Sequence, residues 1–174
     1  PSGATAPPAA SPTPSVVVSE RPVIEAIDAA GLGATWRPGC PVAPKDLRRV
    51  NLSYLGTDGQ PHRGAMVVHR AVVDDVASIF DELFRLGYPI EKMRPVDQYP
   101  GAEDELSMQD NNTSAFNCRP LRSGSWSLHA YGRAIDINPL VNPYIDKSGD
   151  LQPSTARKYL DRNRSDPGMI RDGD

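Results

Sequence analysis

The chain has 174 residues, 39% of them hydrophobic, which fits one folded domain and excludes a multidomain assembly. Its formal net charge is -3, so there is no overall positive field to hold a nucleic acid. No uncharged apolar run approaches the roughly 18 to 20 residues that cross a bilayer, so no transmembrane segment is predicted and the chain reads as soluble, with any secretion signal already removed.

Residues 1 to 18, PSGATAPPAASPTPSVVV, contain no charge and little beyond Pro, Ala, Ser, Thr and Gly before the valine triplet. Such a stretch favours extended conformers with nothing to bury, and reads as a linker holding a domain of residues 19–174 away from a membrane or wall, or as a plain disordered terminus. Val23 to Ala30 then reads as a short helix ended by Gly31-Leu32-Gly33. Val50 to Leu55 and Ala65 to His69 flank a Thr57-Asp58-Gly59 turn and read as a hairpin. In Ala71 to Leu86 the residues Val72, Val73, Val76, Ile79, Phe80, Leu83 and Phe84 recur at helical spacing, which predicts an amphipathic helix with Gly87 at its C-cap.

Pro89 to Tyr99 reads as a strand, and the polar stretch Pro100 to Thr113, with neither period, as an exposed loop. Leu128 to Pro139 is predicted as a strand. Alternation within it puts Ile135 and Ile137 on one face and Ala134, Asp136 and Asn138 on the other. Ser154 or Thr155 is placed as the cap of a short helix through Leu160, and Asp161 to Asp174 as a tail without a stabilising element. The sum is an α+β fold, helices packed on a small mainly antiparallel sheet. Cys40 and Cys118 are the only cysteines. An even count in a chain read as secreted points to one disulfide, the alternative being two buried free thiols.

Chemistry is densest in Ser125 to Asn138. His129 and Asp136 lie seven residues apart, and Gly132 between them can turn the backbone so that imidazole and carboxylate converge. The two could hold a divalent zinc; the competing reading is a surface or hydrogen-bonded structural pair. A carboxylate between Ile135 and Ile137 is costly to bury unless a cation or backbone donors meet it.

The pattern Ser127-x-His129-x-x-Gly132-x-Ala134-x-Asp136 resembles the signature of the zinc D-alanyl-D-alanine carboxypeptidases, a family with VanY-type enzymes and phage L-alanyl-D-glutamate endolysins, and all five fixed positions agree. Phe116-Asn117-Cys118-Arg119, Asn142-Pro143-Tyr144, Gly39-Cys40-Pro41-Val42 and Val67-Val68-His69 resemble a secreted bacterial branch of that family. The resemblance implies a fold like that of the Hedgehog domain and these peptidases, an envelope location, and a peptidoglycan stem peptide as substrate. It implies zinc held by His129 and Asp136, with metal-activated water attacking the scissile carbonyl. Arg119 matches the family arginine that meets the oxyanion or the substrate carboxylate, against a surface salt bridge as the plain alternative. Ser127 matches a position able to bond substrate, against a turn residue.

The family places a third histidine ligand and a catalytic acid near its C-terminus, whereas the histidines here are His62, His69 and His129. Three expectations follow. A further C-terminal segment supplies both groups; or the domain is a degenerate one that binds wall peptide, or a zinc ion, without cleaving anything; or His62 or His69 completes the site.

Overall fold

The computed structural model describes residues 19–121 and 123–174, so the linker reading of residues 1–18 lies outside the described residues. The framework is an antiparallel sheet of β1 (Val23–Ala26), β2 (Leu47–Gly56) and β3 (Pro61–His69), in that order, with β4 (Pro89–Ile90) added parallel to the far end of β2. The α+β expectation holds. The hairpin β2–β3 turns at Thr57-Asp58-Gly59 as predicted, with Val50 opposite Met66 and Leu55 opposite Pro61.

Helix α2 (Val73–Arg85), entered through a 3-10 turn at Arg70–Val72, buries Val73, Val76 and Phe80 against Val50, Leu52, Met66 and Val68, and Phe84 is buried as well. Truncating an aromatic as buried as Phe80, only 1% exposed, to alanine costs about 3 to 5 kcal/mol, which makes this contact the main core. Ile79, expected on the same face, is 48% exposed because it points away from the sheet. Gly87, with φ of 72°, closes the helix: its N–H bonds to Phe84 O and the Tyr88 N–H to Leu83 O, a pairing that satisfies the last carbonyls.

Other expectations are corrected. Val23 to Ala30 is not one helix. Its first part is β1, paired with Arg48 to Asn51 of β2, and only Ala29–Leu32 is helical (α1), capped by Asp28 through the Gly31 N–H. Pairing with a long neighbouring strand outweighs helix propensity in a segment this short. Pro89 to Tyr99 is not a continuous strand but β4, β5 (Lys92–Met93) and a 3-10 turn at Val96–Gln98. Pro100 to Thr113 is not a loop either. It holds α3 (Asp104–Gln109) and β6 (Asn112–Thr113), the latter parallel to β5.

Buried amides explain how these short pieces hold. Asn112 accepts from Arg94 N and donates to Arg94 O and Ser107 Oγ. Asn111, at φ 53°, accepts from Leu140 N and Val141 N and donates to Glu91. Asn138 accepts from Glu91 N and donates to Pro89 O. Side chains thus satisfy backbone groups that a longer sheet would pair, which period-based reading does not see.

Two further clusters complete the domain. One gathers Leu32, Val42, Leu47, Val67, Phe116, Cys118 and Ala130; the other, near the C-terminus, gathers Val141, Ala156, Tyr159 and Met169 beside the hairpin β7 (Tyr144–Ile145)–β8 (Leu151–Gln152). The tail read as lacking support is therefore docked: Met169 is buried, and Gly168 O accepts from Tyr88 Oη and Asn142 Nδ2. Ser154 does not cap the 3-10 turn at Arg157–Leu160, whose N-cap is Ala156; Ser154 N and Oγ instead donate to Glu105 Oε1. Among the described residues, no helix is long and apolar enough to cross a membrane.

Candidate active site

The site is built outward from the free edge of β3. Phe116 N donates to Val67 O, so the segment 114–118 runs along β3, and Ser114 exchanges both backbone hydrogen bonds with Asp136 at 3.1 and 2.9 Å. Asp136 is therefore held at the rim of the sheet. The predicted strand Leu128 to Pro139 is reduced to that bridge: Leu128–Tyr131 is a 3-10 turn, and Ala134 to Ile137 are all half-buried, without alternation. Ile135 does pack on the main core.

Gly132 joins the turn to the rim in the left-handed conformation, φ 64°, and its carbonyl accepts from His69 N at 2.9 Å. A Cβ there would sit 2.7 Å from His69 N, so only glycine lets the turn dock on β3. Ser127 is buried and its Oγ accepts from His129 N, which caps the turn and fixes the start of the His129 segment.

His129 and Asp136 meet, with Nε2 3.4 Å from Asp136 Oδ2. The other ring nitrogen, Nδ1, lies 2.6 Å from Ala115 O. A backbone carbonyl can only accept, so Nδ1 carries a proton and Nε2 is the nitrogen turned toward the carboxylate. Burial would lower the His129 pKa, but the hydrogen bond and charge of Asp136, the Ala115 carbonyl and the charge of Asp104 outweigh it and raise it.

Arg119 lies on the strand-like segment beyond Cys118. Its Nη2 pairs with Asp104 Oδ2 at 2.5 Å, while its Nε is buried without a partner. Asp104, which reading residues 100–113 as a loop passed over, stands in the first turn of α3; the signal available was an acidic first turn before the apolar Leu106 and Met108. Arg119 and Asp104 line a groove of about 830 Å³ bounded by Met108, Leu151 and Gln152. The segment is anchored by the Cys40–Cys118 disulfide, Cα atoms 6.0 Å apart, and by Arg37, which donates to Cys118 O. The predicted disulfide is present and the free-thiol alternative falls.

The remaining histidines are placed elsewhere. His62 pairs with Asp58 in the hairpin turn at 2.9 Å and stacks on Tyr54. His69 accepts from Ala71 N through Nδ1, and burial followed by the nearby Arg133 charge lowers its pKa. Among the described residues, no group of three or more His, Cys, Asp or Glu side chains is placed to hold a metal ion, so neither histidine completes a three-ligand set with His129 and Asp136.

Residues 121–169 match the family model of D-alanyl-D-alanine carboxypeptidase. The resemblance carried by Ser127 to Asp136 is thereby shown, and the match covers the His129 turn, the Asp136 rim and the Met169 cluster. It supports a D-alanyl-D-alanine carboxypeptidase-like peptidase at the level of the family. No curated protein and no solved structure matches the chain.

Proposed function

We propose that the domain is a zinc-dependent peptidase acting on peptidoglycan stem peptides, as a D-alanyl-D-alanine carboxypeptidase, in a secreted or envelope-bound bacterial protein. The observation that carries the reading is the His129–Asp136 pair, with Nδ1 committed to Ala115 O and Nε2 facing the carboxylate. A carbonyl fixing the distal ring nitrogen is how ligating histidines are oriented, so the donors suit zinc as two of its ligands. When bound, zinc supplies a Lewis acid and an activated water near neutral pH. A third ligand is not grouped with this pair among the described residues, and the reading draws it from elsewhere in the protein.

In this reading Arg119 meets the substrate carboxylate or the developing oxyanion at the groove, after exchanging its contact with Asp104 for the substrate. Ser127 serves by holding the His129 turn, with its hydroxyl turned to His129 N. The absence of a third metal-binding side chain beside the pair, among the described residues, favours a second reading, a module that binds wall peptide without cleaving it.

One experiment separates the two. The native protein with added zinc is incubated with a stem pentapeptide, and D-alanine release is measured beside retention on purified peptidoglycan. The peptidase reading expects release that a chelator stops and that Asp136→Ala abolishes. Retention without release would replace it with the binding module, and undiminished release by Asp136→Ala would sink the metal assignment.

A further inference from the structure

A second groove, of about 560 Å³, lies on the sheet and shares no lining residue with the groove at Arg119. Its floor is one face of β1, β2 and β3, where register places Val23 opposite Asn51, Glu25 opposite Arg49 and Ser53 opposite Arg63. Its wall is the segment 92–95 with Gln98. Arg49 from β2, Arg63 from β3, and Lys92 and Arg94 from the β5 segment converge there, with Glu25 the sole carboxylate in the lining. Three separate elements thus bring four basic side chains to one groove, where Lys92 faces Asp110, Arg63 faces Glu20 and the Arg49 charge acts on Asp97.

Two of the four cations are engaged. Lys92 pairs with Asp110, and Arg63 donates to Ser53 Oγ and lies 3.7 Å from Glu20. Among the described residues, the guanidiniums of Arg49 and Arg94 have neither an ion pair nor a hydrogen bond, and the Tyr54 hydroxyl, on which the Arg94 charge acts, has no hydrogen-bond partner. The Glu25 carboxylate is occupied by Asn51 Nδ2 at 2.9 Å. Two spare planar forks, one from β2 and one from the segment after β5, with a hydroxyl beside the second, match a tetrahedral oxyanion of more than one negative charge better than a single carboxylate with its two oxygens. Met93, Pro95 and Val23 add an apolar side for the body of such a ligand, and the volume lies within the range of about 300 to 1,000 Å³ usual for small-ligand sites.

We propose that this groove binds a small phosphorylated ligand, its phosphate held by Arg49 and Arg94 with the Tyr54 hydroxyl. The proposal uses none of the residues assigned to the peptidase site and stands or falls separately from that assignment.

The test is calorimetric titration of the protein with pyrophosphate in a phosphate-free buffer of low ionic strength. Four proteins are compared: the native chain, Arg49→Gln, Arg94→Gln, and Arg157→Gln, which removes an equal charge outside the groove. The expected result is saturable one-to-one binding, weakened about tenfold or more by either groove substitution and changed by less than about twofold by Arg157→Gln. Unchanged urea midpoints confirm that the variants fold. Overturning results are the lack of saturable binding at millimolar pyrophosphate, equal weakening by Arg157→Gln, or equally tight binding of tricarballylate, which would make the groove a general polyanion or polycarboxylate surface.

Discussion

Gly132→Ala tests the joint between the His129 turn and the sheet. Two costs are expected. The first is the left-handed conformation at φ 64°, which costs an L-residue about 1 to 2 kcal/mol. The second is overlap: the new methyl would stand 2.7 Å from His69 N, 3.1 Å from Leu47 Cδ2 and 3.2 Å from Val68 C. Two of those atoms are backbone of β3 and cannot swing aside, so the turn itself must lift, stretching the His69 N to Gly132 O bond of 2.9 Å; overpacking of this kind costs about 1 to 3 kcal/mol. Gly59→Ala is the control, since Gly59 has φ 73° with nothing within 4 Å of the added carbon. Equilibrium urea unfolding should show a loss of about 2 to 5 kcal/mol for Gly132→Ala against about 1 to 2 for Gly59→Ala. With a slope of about 2 kcal/mol per molar urea, the two midpoints should differ by roughly 0.5 to 1.5 M. Equal losses would refute the claim that contact with β3, rather than backbone conformation alone, requires glycine at this position.

Replacing Cys40 and Cys118 together by alanine opens a loop of sequence separation 78 and should cost about 4 kcal/mol by the chain-entropy argument, read as a drop in the urea midpoint. Asn112→Leu keeps the volume but strips the partners of Arg94 N, Arg94 O and Ser107 Oγ, and should destabilise by about 2 to 4 kcal/mol in the same assay. Burial would raise the Asp110 pKa, but Lys92 and Tyr99 outweigh it and hold it below the ordinary carboxylate value. A depressed folded value means that its contribution is fully present above the unfolded value of about 3.8 and is lost as pH falls through the lower folded one. Asp110→Asn should accordingly flatten the acid limb of stability against pH below about 4, and an unchanged limb would assign the loss to other carboxylates.

The hairpin and α2 were legible because each repeats one period over many residues: β2 has 10 residues, β3 has 9, and α2 carries buried Val73, Val76, Phe80 and Phe84 at helical steps. The cysteine pair was legible from its count. Elements of two to six residues were not. α3 and β6 depend on hydrogen bonds from Asn111 and Asn112 to distant backbone, and β1 depends on pairing with β2. At the site, the motif brought His129, Gly132 and Asp136 together correctly, whereas the intended strand became a 3-10 turn and one bridge, because Ser114 and Ala115 supply the partners. Asp104 was marked only by the acidic first turn before Leu106 and Met108. Its pairing with Arg119 spans two segments joined only in the folded chain.

The central claim is that His129 and Asp136 are two ligands of one zinc ion. Zinc titration of the native protein, with metal content measured after gel filtration, tests it most directly. The account predicts one zinc per chain, with affinity falling at least about a hundredfold in Asp136→Ala and in His129→Ala while Asp58→Ala, beside His62, leaves it unchanged. Zinc held equally well by Asp136→Ala, or lost in Asp58→Ala, would contradict it.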